Sequence, residues 1–159
     1  MKKIATFLCK AIATGFGSGL SPIAPGTIGG LLALAVWIIC LYPQPYDTCT
    51  FTNVGLVVFF TITGIPAATV CEKYWGKDPN KVVVDEMVGT WVALLAVPKG
   101  YNEYWWAVSA FILFRILDIF KPFGIKRMER FRGGLGVMAD DILAGLYSAM
   151  LLMIAQHVL

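Results

Sequence analysis

The sequence predicts an all-α fold: a polytopic bundle of about five apolar membrane helices, preceded by an interfacial helix at the N-terminus. Of the 159 residues, 58% are hydrophobic and only 14% are charged, whereas soluble domains carry about 25% charged residues. The mean hydropathy is +0.72. The chain has the length of one domain, so we predict that residues 1–159 form a single membrane-embedded domain with no nucleic-acid partner.

The first residues, MKKIATFLCKAIA, have the basic start of a signal peptide. Lys10, however, limits the apolar stretch to residues 4–9, which is too short for export. We therefore predict an interfacial helix whose lysines face anionic headgroups. The side chains expected to face lipid are Ile4, Phe7, Leu8 and Ile12.

Five apolar segments follow and are predicted to form membrane helices. They are residues 28–42, 54–70, 87–98, 104–120 and 142–159. A perpendicular crossing needs about 20 residues. The third segment is therefore too short to cross by itself, so it must recruit neighbouring residues, tilt, or lie inside the bundle. Thr27 precedes the first segment and is predicted to be its N-cap.

The loops on the two sides of the predicted bundle differ in basic content. One set of alternating loops holds 12 of the 13 basic residues, namely Lys2, Lys3, Lys10, Lys73, Lys77, Lys81, Arg115, Lys121, Lys126, Arg127, Arg130 and Arg132, and the other set holds only Lys99. Because cytoplasmic loops collect Lys and Arg, we predict a cytoplasmic N-terminus and an external C-terminus. Most acidic residues fall on the cytoplasmic side, which predicts a site open to lipid headgroups there.

Two segments, VVVDEMVGTW and GVMADDILAG, each place a pair of adjacent carboxylates at the predicted opening of an apolar helix. The pairs are Asp85–Glu86 and Asp140–Asp141. Helix capping explains one carboxylate in each pair, but two adjacent charges at a low-dielectric surface repel each other unless a cation lies between them. Magnesium fits this set, because it binds one or two carboxylates and completes its shell with water and phosphate.

The segment FRILDIFKP adds basic side chains to the same side of the bundle. Arg115, Asp118 and Lys121 are spaced i, i+3, i+6 along the end of the fourth predicted membrane helix. One interpretation is a structural Arg115–Asp118 pair with snorkelling side chains. The other is that Arg115 and Lys121 bind phosphate oxygens.

The stretch ATGFGSGLSPIAPGTIGG contains six glycines and two prolines ahead of the first apolar run. It lacks the Lys-Ser/Thr ending of a Walker loop. Its backbone amides and hydroxyls are still a candidate anion-binding nest, and a stiff re-entrant turn is the alternative. The phosphate-binding candidates here are Gly17, Ser18, Gly19, Ser21 and Thr27.

Several phosphatase mechanisms are excluded by the sequence. No cysteine is followed by arginine six positions later, and no Asp-x-Asp-x-Thr segment is present. The single histidine, His157, lies near the opposite face of the predicted bundle. A metal ion and carboxylates acting on phosphate remain.

Four blocks together resemble the phosphatidylglycerophosphatase A family: GSGLSPIAPGTIGG, VVDEMVGTW, FRILDIFKPFGIKRME and GGLGVMADDILAG. The resemblance implies a magnesium-dependent, all-helical enzyme of the bacterial inner membrane. Such an enzyme removes the terminal phosphate of phosphatidylglycerophosphate and so supplies phosphatidylglycerol and cardiolipin synthesis. The family's conserved acidic and basic positions match Asp85, Glu86, Arg115, Asp118, Lys121, Asp140 and Asp141.

The resulting hypothesis assigns one or two Mg²⁺ ions to Asp85, Glu86, Asp140 and Asp141. An activated water attacks phosphorus, while Arg115, Lys121 and the glycine-rich backbone stabilise the developing charge. Asp118 is a base, an orienting partner of Arg115, or a nucleophile. The alternatives are a phosphatase for another lipid phosphate, such as phosphatidic acid, and a non-enzymatic small membrane transporter.

Overall fold

We describe the fold from a computed structural model, which covers residues 2–100 and 102–158. Over these ranges the chain is helical and contains no strand, which confirms the all-α class. The helices are α1 Lys2–Ala13, α2 Pro25–Val36, α3 Tyr46–Trp75, α4 Val84–Leu94, α5 Glu103–Phe120 and α6 Gly134–Val158. Two 3₁₀ turns, Gly15–Leu20 and Ile125–Arg130, and a π-helical turn, Trp37–Leu41, complete the elements.

Two of the helices, α3 and α6, are long and apolar enough to cross a membrane. They have 30 and 25 residues, and a rise of about 1.5 Å per residue makes each longer than a hydrocarbon core of about 30 Å. The apolar helix Pro25–Leu41 is shorter, and α5 carries Glu103, Arg115 and Asp118 within its 18 residues. The five crossings expected from the sequence therefore stay a prediction.

Helix α4 lies inside the bundle, which was one of the three possibilities for the short segment 87–98. It has 11 residues, and every side chain from Met87 to Leu94 is buried. The indole N–H of Trp91 donates to the carbonyl of Ala33 at 3.0 Å, and the amide of Asn53 donates to the carbonyl of Trp91 at 3.1 Å. These bonds fix α4 between α2 and α3.

Helices α4 and α6 cross where both carry glycine. A Cβ atom built on Gly145 would lie 2.5 Å from the carbonyl oxygen of Gly89, and one on Gly89 would lie 2.8 Å from the carbonyl oxygen of Asp141. Real Cβ atoms do not approach so closely, so only glycine permits this crossing. The crossing brings the start of α4 beside Asp141.

The starts of two helices differ from the sequence-based expectation. Thr27 is not the N-cap of α2, because the helix begins at Pro25 after a left-handed Ala24 with φ 45°. Proline suits the first helical position, since its fixed φ is already helical and its missing N–H has no partner to lose there. Helix α6 begins at Gly134, so Asp140 and Asp141 lie in its second turn and do not cap it.

The N-terminal helix α1 has the exposure expected of an interfacial helix, with one exception. Ile4, Phe7 and Leu8 are exposed, as predicted for side chains that face lipid. Ile12 is half-buried and packs against the hydrophobic core, so its lipid contact stays a prediction. The carbonyl of Ala13 accepts a hydrogen bond from the Val83 amide at 2.8 Å, which turns this end of α1 toward the protein.

The ends of α3 and α6 that lie next to the acidic residues meet each other. The amide of Gly134 donates to the Thr69 hydroxyl at 2.8 Å. Further along α6, Met138 lies against Gly64 of α3, so residue numbers fall along α3 as they rise along α6. The two long helices are thus antiparallel, and the charged residues described next lie at one end of the pair.

Candidate active site

Three of the four predicted metal ligands form one buried cluster. One carboxylate oxygen from each of Asp85, Glu86 and Asp141 lies within 4.8 Å of the other two. Asp85 and Glu86 come from the first turn of α4, and Asp141 comes from the second turn of α6. We call this group the acidic cluster.

The acidic cluster fits a hard divalent cation. Among the described residues, Asp85 Oδ1, Glu86 Oε2 and Asp141 Oδ2 are buried and have no hydrogen-bond partner. A buried carboxylate without a partner is costly, because it has lost its water and gained nothing in exchange. The donors are all oxygen atoms, which Mg²⁺ and Ca²⁺ prefer. These residues can therefore hold such an ion.

Arg115 and Asp118 form an ion pair beside the acidic cluster. The Arg115 Nη1 to Asp118 Oδ2 distance is 2.6 Å, and the two side chains are 15% and 12% exposed. The Asp118 carboxylate is close enough for its charge to act on both Glu86 and Asp141. The Arg115–Asp118 pair that the sequence suggested is therefore present. It holds the guanidinium at the edge of the acidic cluster.

Lys121 bridges two carboxylates at the end of α5. Its Nζ lies 2.5 Å from Asp140 Oδ2 and 2.8 Å from Glu129 Oε1. Burial by itself would lower the pKa of Lys121, but the hydrogen bonds to Asp140 and Glu129 outweigh burial and raise this pKa above its usual value. Lys121 is thus held as a cation, and Asp140 binds it instead of joining the acidic cluster.

An opening of about 320 Å³ leads to the acidic cluster. We call it the Arg115 opening; it is lined by Ala24, Pro25, Gly26, Thr27, Asn80, Glu86, Arg115 and Ile119. A Cβ atom on Gly26 would collide with Glu86 Oε1 and would lie 3.4 Å from Arg115 Nη2. The backbone of α2 therefore lies directly against the carboxylate and the guanidinium.

A second opening, of about 230 Å³, leads to Asp140. We call it the Asp140 opening. Its polar lining residues are Glu72, Lys77, Asp78, Glu129 and Asp140. The charged end of the protein is therefore accessible both beside Arg115 and beside Asp140.

The glycine-rich stretch contributes to the site only through its last residues. Thr27 lines the Arg115 opening, whereas Gly17, Ser18, Gly19 and Ser21 do not. The amides of Gly17 and Gly19 donate to the carbonyl of Thr14 at 3.1 and 2.9 Å, and the Ser18 and Ser21 hydroxyls donate to backbone carbonyls of this stretch. These donors are already used within the turn, and their predicted role in phosphate binding stays a prediction.

Three residues of the charged end were missed by sequence reasoning. Gly26 and Asn80 line the Arg115 opening, and Glu129 binds Lys121. Glu129 stands in a run of basic residues that is typical of a membrane surface, and Asn80 follows the turn after α3 without any motif. The GTIGG spacing around Gly26 was the one available signal, since glycine permits close approach of the backbone.

A buried, oxygen-only acidic cluster beside paired cations defines the class of site that handles phosphate together with a divalent ion. Comparison with known proteins agrees with this class. The family model for phosphatidylglycerophosphatase A matches residues 11–156. The chain belongs to this family and is a phosphatase.

Named relatives cover nearly the whole chain. A Bacteroides thetaiotaomicron protein named as a phosphatidylinositol-3-phosphatase is 53% identical over 157 residues, 99% of each chain. Phosphatidylglycerophosphatase A of Escherichia coli K12 is 40% identical over 92% of this chain and 82% of its own, and that of Haemophilus influenzae is 33% identical over 92% and 87%. No solved structure matches the chain.

Proposed function

We propose that the chain is a magnesium-dependent lipid phosphatase that converts phosphatidylglycerophosphate to phosphatidylglycerol and inorganic phosphate. This step would serve phosphatidylglycerol and cardiolipin biosynthesis. The observation that carries the proposal is the acidic cluster of Asp85, Glu86 and Asp141, which borders an opening shared with Arg115. Family membership supplies the reaction class.

We also propose a location for the reaction. The charged end lies at one end of the antiparallel pair α3 and α6, which are long enough to cross a membrane. Because basic residues collect on the cytoplasmic side, this end is placed at the cytoplasmic face of the bacterial inner membrane. A lipid substrate would keep its acyl chains in the bilayer while its headgroup enters the site.

The side chains present suggest how hydrolysis proceeds. A magnesium ion, when bound by the acidic cluster, supplies positive charge at the phosphoryl oxygens. Arg115, whose Nη2 lies near Gly26 at the opening, donates to the same oxygens and stabilises the charge of the transition state. Asp118, 2.6 Å from Arg115 Nη1, keeps the guanidinium in this orientation.

Direct hydrolysis exchanges one P–O bond for another. A P–O bond forms to a water oxygen, the P–O bond to the glycerol oxygen breaks, and the proton lost by water compensates the proton gained by the glycerol oxygen. A carboxylate that attacked phosphorus would instead form a phosphoenzyme. Acid quenching after mixing with ³²P-labelled substrate separates the two routes, because only the second leaves label on the protein.

Phosphatidylinositol 3-phosphate is the second candidate substrate. It is favoured by the relative that is 53% identical over 99% of both chains and is named for that activity. Phosphatidic acid, with a single phosphate, is a third lipid to compare. An ion-transport role is disfavoured, because the charged residues gather at one end of the bundle instead of lining a path through it.

The deciding experiment measures phosphate release from these three lipids in neutral-detergent micelles, with Mg²⁺ or with EDTA. We expect release to require Mg²⁺ and to fall about 100-fold or more in Asp141→Asn, since a ligand of the ion is lost. Asp47→Asn is the matched control, because Asp47 is exposed in the first turn of α3, away from the cluster.

Each outcome has a defined meaning. Magnesium-dependent release from phosphatidylglycerophosphate supports the proposal. Release from phosphatidylinositol 3-phosphate alone keeps the chemistry and replaces the substrate. Release that persists in EDTA contradicts the metal-dependent mechanism, and no release from any of the lipids contradicts the proposed function.

A further inference from the structure

A concave basic surface lies beside the Asp140 opening, next to the C-terminus of α3 and the N-terminus of α6. We call it the basic groove. It is lined by Lys77, Lys126, Arg127, Glu129 and Arg130, and its volume is about 380 Å³. Lys77 follows α3, and the other residues belong to the 3₁₀ turn that precedes α6. The groove is therefore at the level where headgroups would surround the two long helices.

The positive charge of the basic groove is not neutralised by the protein. Within the described ranges of the chain, none of its four cations has a carboxylate within 4.0 Å. The only acidic lining residue, Glu129, is already bound to Lys121. The hydrogen bond from Lys121 lowers the pKa of Glu129, and the charges of Lys126 and Lys77 lower this pKa further. The groove thus carries four cations and a single carboxylate, which is already bound to Lys121, and keeps an excess of positive charge.

The basic groove is continuous with the Asp140 opening. Lys77 and Glu129 line both the groove and the Asp140 opening. One ammonium group, Lys121 Nζ, contacts Glu129 at 2.8 Å and Asp140 at 2.5 Å. One ammonium group therefore links the groove to Asp140, whose neighbour in the chain, Asp141, belongs to the acidic cluster. A substrate with two phosphates has a candidate position for one at the acidic cluster and for the other in the groove.

The two candidate substrates share such a bridge. In phosphatidylglycerophosphate, a three-carbon glycerol unit separates the phosphodiester from the terminal phosphomonoester. In phosphatidylinositol 3-phosphate, the diester at ring position 1 and the monoester at position 3 are also three carbons apart. Phosphatidic acid has the monoester and no diester. Both candidate substrates therefore have a second phosphate, which three carbons separate from the first.

We propose that the basic groove binds the phosphodiester of the substrate, so that the enzyme selects lipids whose phosphodiester lies three carbons from the phosphomonoester. This specificity rests on the proposed hydrolysis of a lipid phosphate. Arg127 and Arg130 suit this role, because guanidinium groups bind phosphate oxygens through two parallel hydrogen bonds.

The test compares the specificity of the enzyme before and after the groove is neutralised. The double variant Lys126→Gln/Arg130→Gln removes two groove charges, and Lys3→Gln/Lys73→Gln removes two exposed charges elsewhere. For each protein, kcat/KM is measured for the two-phosphate lipids and for phosphatidic acid with matched acyl chains in neutral micelles. We expect the ratio of the two kcat/KM values to fall about tenfold in the groove variant only.

A second readout separates this inference from the proposed function. Fluorescence titration in EDTA measures binding of the same lipids without turnover. If the wild type binds two-phosphate lipids more tightly than phosphatidic acid, and the groove variant loses the difference, the groove is supported even where no phosphate is released.

Two outcomes overturn the inference. One is phosphate release with no preference for two-phosphate lipids, which leaves the proposed hydrolysis intact. The other is an equal fall for all three lipids in both double variants, because it would show that the groove attracts anionic surfaces in general. Lys126→Arg/Arg130→Lys, which keeps both charges, should retain most of the preference.

Discussion

At the scale of single residues, the acidic cluster lowers the free energy of unfolding of the protein without its ion. Asp85 and Asp141 are buried to 7% and 3% exposure, and each has a carboxylate oxygen without a hydrogen-bond partner among the described residues. Like charges held together in a low-dielectric interior destabilise the folded state. A cation that binds the folded protein at this cluster would offset that loss of stability.

This cost can be measured with Asp141→Asn. In EDTA the variant should unfold at a higher temperature than the wild type, because one of three mutually repelling carboxylates is removed. A gain of about 1 kcal/mol corresponds to roughly 2–4 °C for a chain of this size. Added Mg²⁺ should stabilise the wild type and leave the variant nearly unchanged. Thermal scans in detergent, followed by tryptophan fluorescence, make the comparison.

Equal magnesium-induced shifts in both proteins would show that Asp141 does not bind the ion. The control is again Asp47→Asn, whose exposed carboxylate lies outside the cluster. It should match the wild type both in EDTA and with Mg²⁺. A rise of the unfolding temperature in this control would attribute the effect to net charge alone.

Gly26 sets how closely α2 approaches the site. Gly26→Ala should reduce activity by about 100-fold, because a Cβ there collides with Glu86 and a displacement of about 1 Å in a catalytic group is enough for such a loss. The magnesium-induced rise in unfolding temperature should shrink in parallel. Phosphate-release kinetics and thermal scans measure the two effects.

The matched control for this substitution is Gly29→Ala in the same helix. Its Cβ would meet Val83 Cβ at 2.7 Å, so it disturbs packing without touching a site carboxylate. We expect Gly29→Ala to lower stability while the protein that remains folded keeps its response to Mg²⁺. Identical behaviour of the two variants would mean that Gly26 acts only through packing.

At the scale of helices, the crossing of α4 and α6 assembles the site. The Gly145 position faces the carbonyl of Gly89 and also Val92 Cβ at 3.0 Å. The close approach holds the first turn of α4 against the second turn of α6, which is what places Asp85 and Glu86 beside Asp141. A wider crossing would separate the ligands of the acidic cluster.

Gly145→Ala should therefore lower the stability of the fold and also move the carboxylates of the acidic cluster apart. Overpacking of a buried contact destabilises by about 1–3 kcal/mol, and the parted helices should bind Mg²⁺ more weakly. Gly55→Ala in α3 is the control, since no atom lies within 4 Å of a Cβ built there; it should be neutral or slightly stabilising. Unfolding temperature and magnesium titration test both proteins. Wild-type values for Gly145→Ala would show that α6 shifts freely to accommodate the methyl group.

The sequence predicted some helices closely and others poorly, for physical reasons. Segment 104–120 matches α5 to within one residue, because an apolar run bounded by polar loops defines its own ends. The start of α6 was placed eight residues late, because FRGGLGVMAD is rich in glycine and glycine disfavours isolated helix. Contacts with α3 hold that turn: the Gly134 amide bonds to Thr69, and a Cβ on Gly134 would collide with the carbonyl of Ile65.

Part of the candidate site was also beyond sequence reasoning. Adjacency in the sequence does not decide which carboxylates meet, since Asp85 and Glu86 both join the cluster, whereas of Asp140 and Asp141 only Asp141 does. Asp140 is instead bound by Lys121 from the end of α5, a contact that depends on how α5 and α6 pack. The contributions of Gly26 and Glu129 were not available, because each depends on the packing of distant segments.

At the scale of the whole molecule, the charged end and the opposite end are different surfaces. The charged end contains the acidic cluster, both openings and the basic groove. The opposite end contains Cys40, which is exposed and free in the described structure, in the π-helical turn that follows α2. If the positive-inside rule sets the orientation, Cys40 faces the periplasm and Lys126 faces the cytoplasm.

Labelling of intact cells with a thiol reagent that does not cross the inner membrane tests this orientation. We expect the parent protein, which carries Cys9→Ser, to be labelled at Cys40, its Cys40→Ser variant to be unlabelled, and its Cys40→Ser/Lys126→Cys variant to be labelled only after the inner membrane is permeabilised. The half-buried Cys9 is replaced by serine in all three proteins, so that it does not add signal. The buried Cys49 and Cys71 should stay unreactive in the folded protein. Labelling of Lys126→Cys in intact cells would place the basic groove and the acidic cluster outside the cytoplasm, away from the lipid pool that this enzyme is proposed to use.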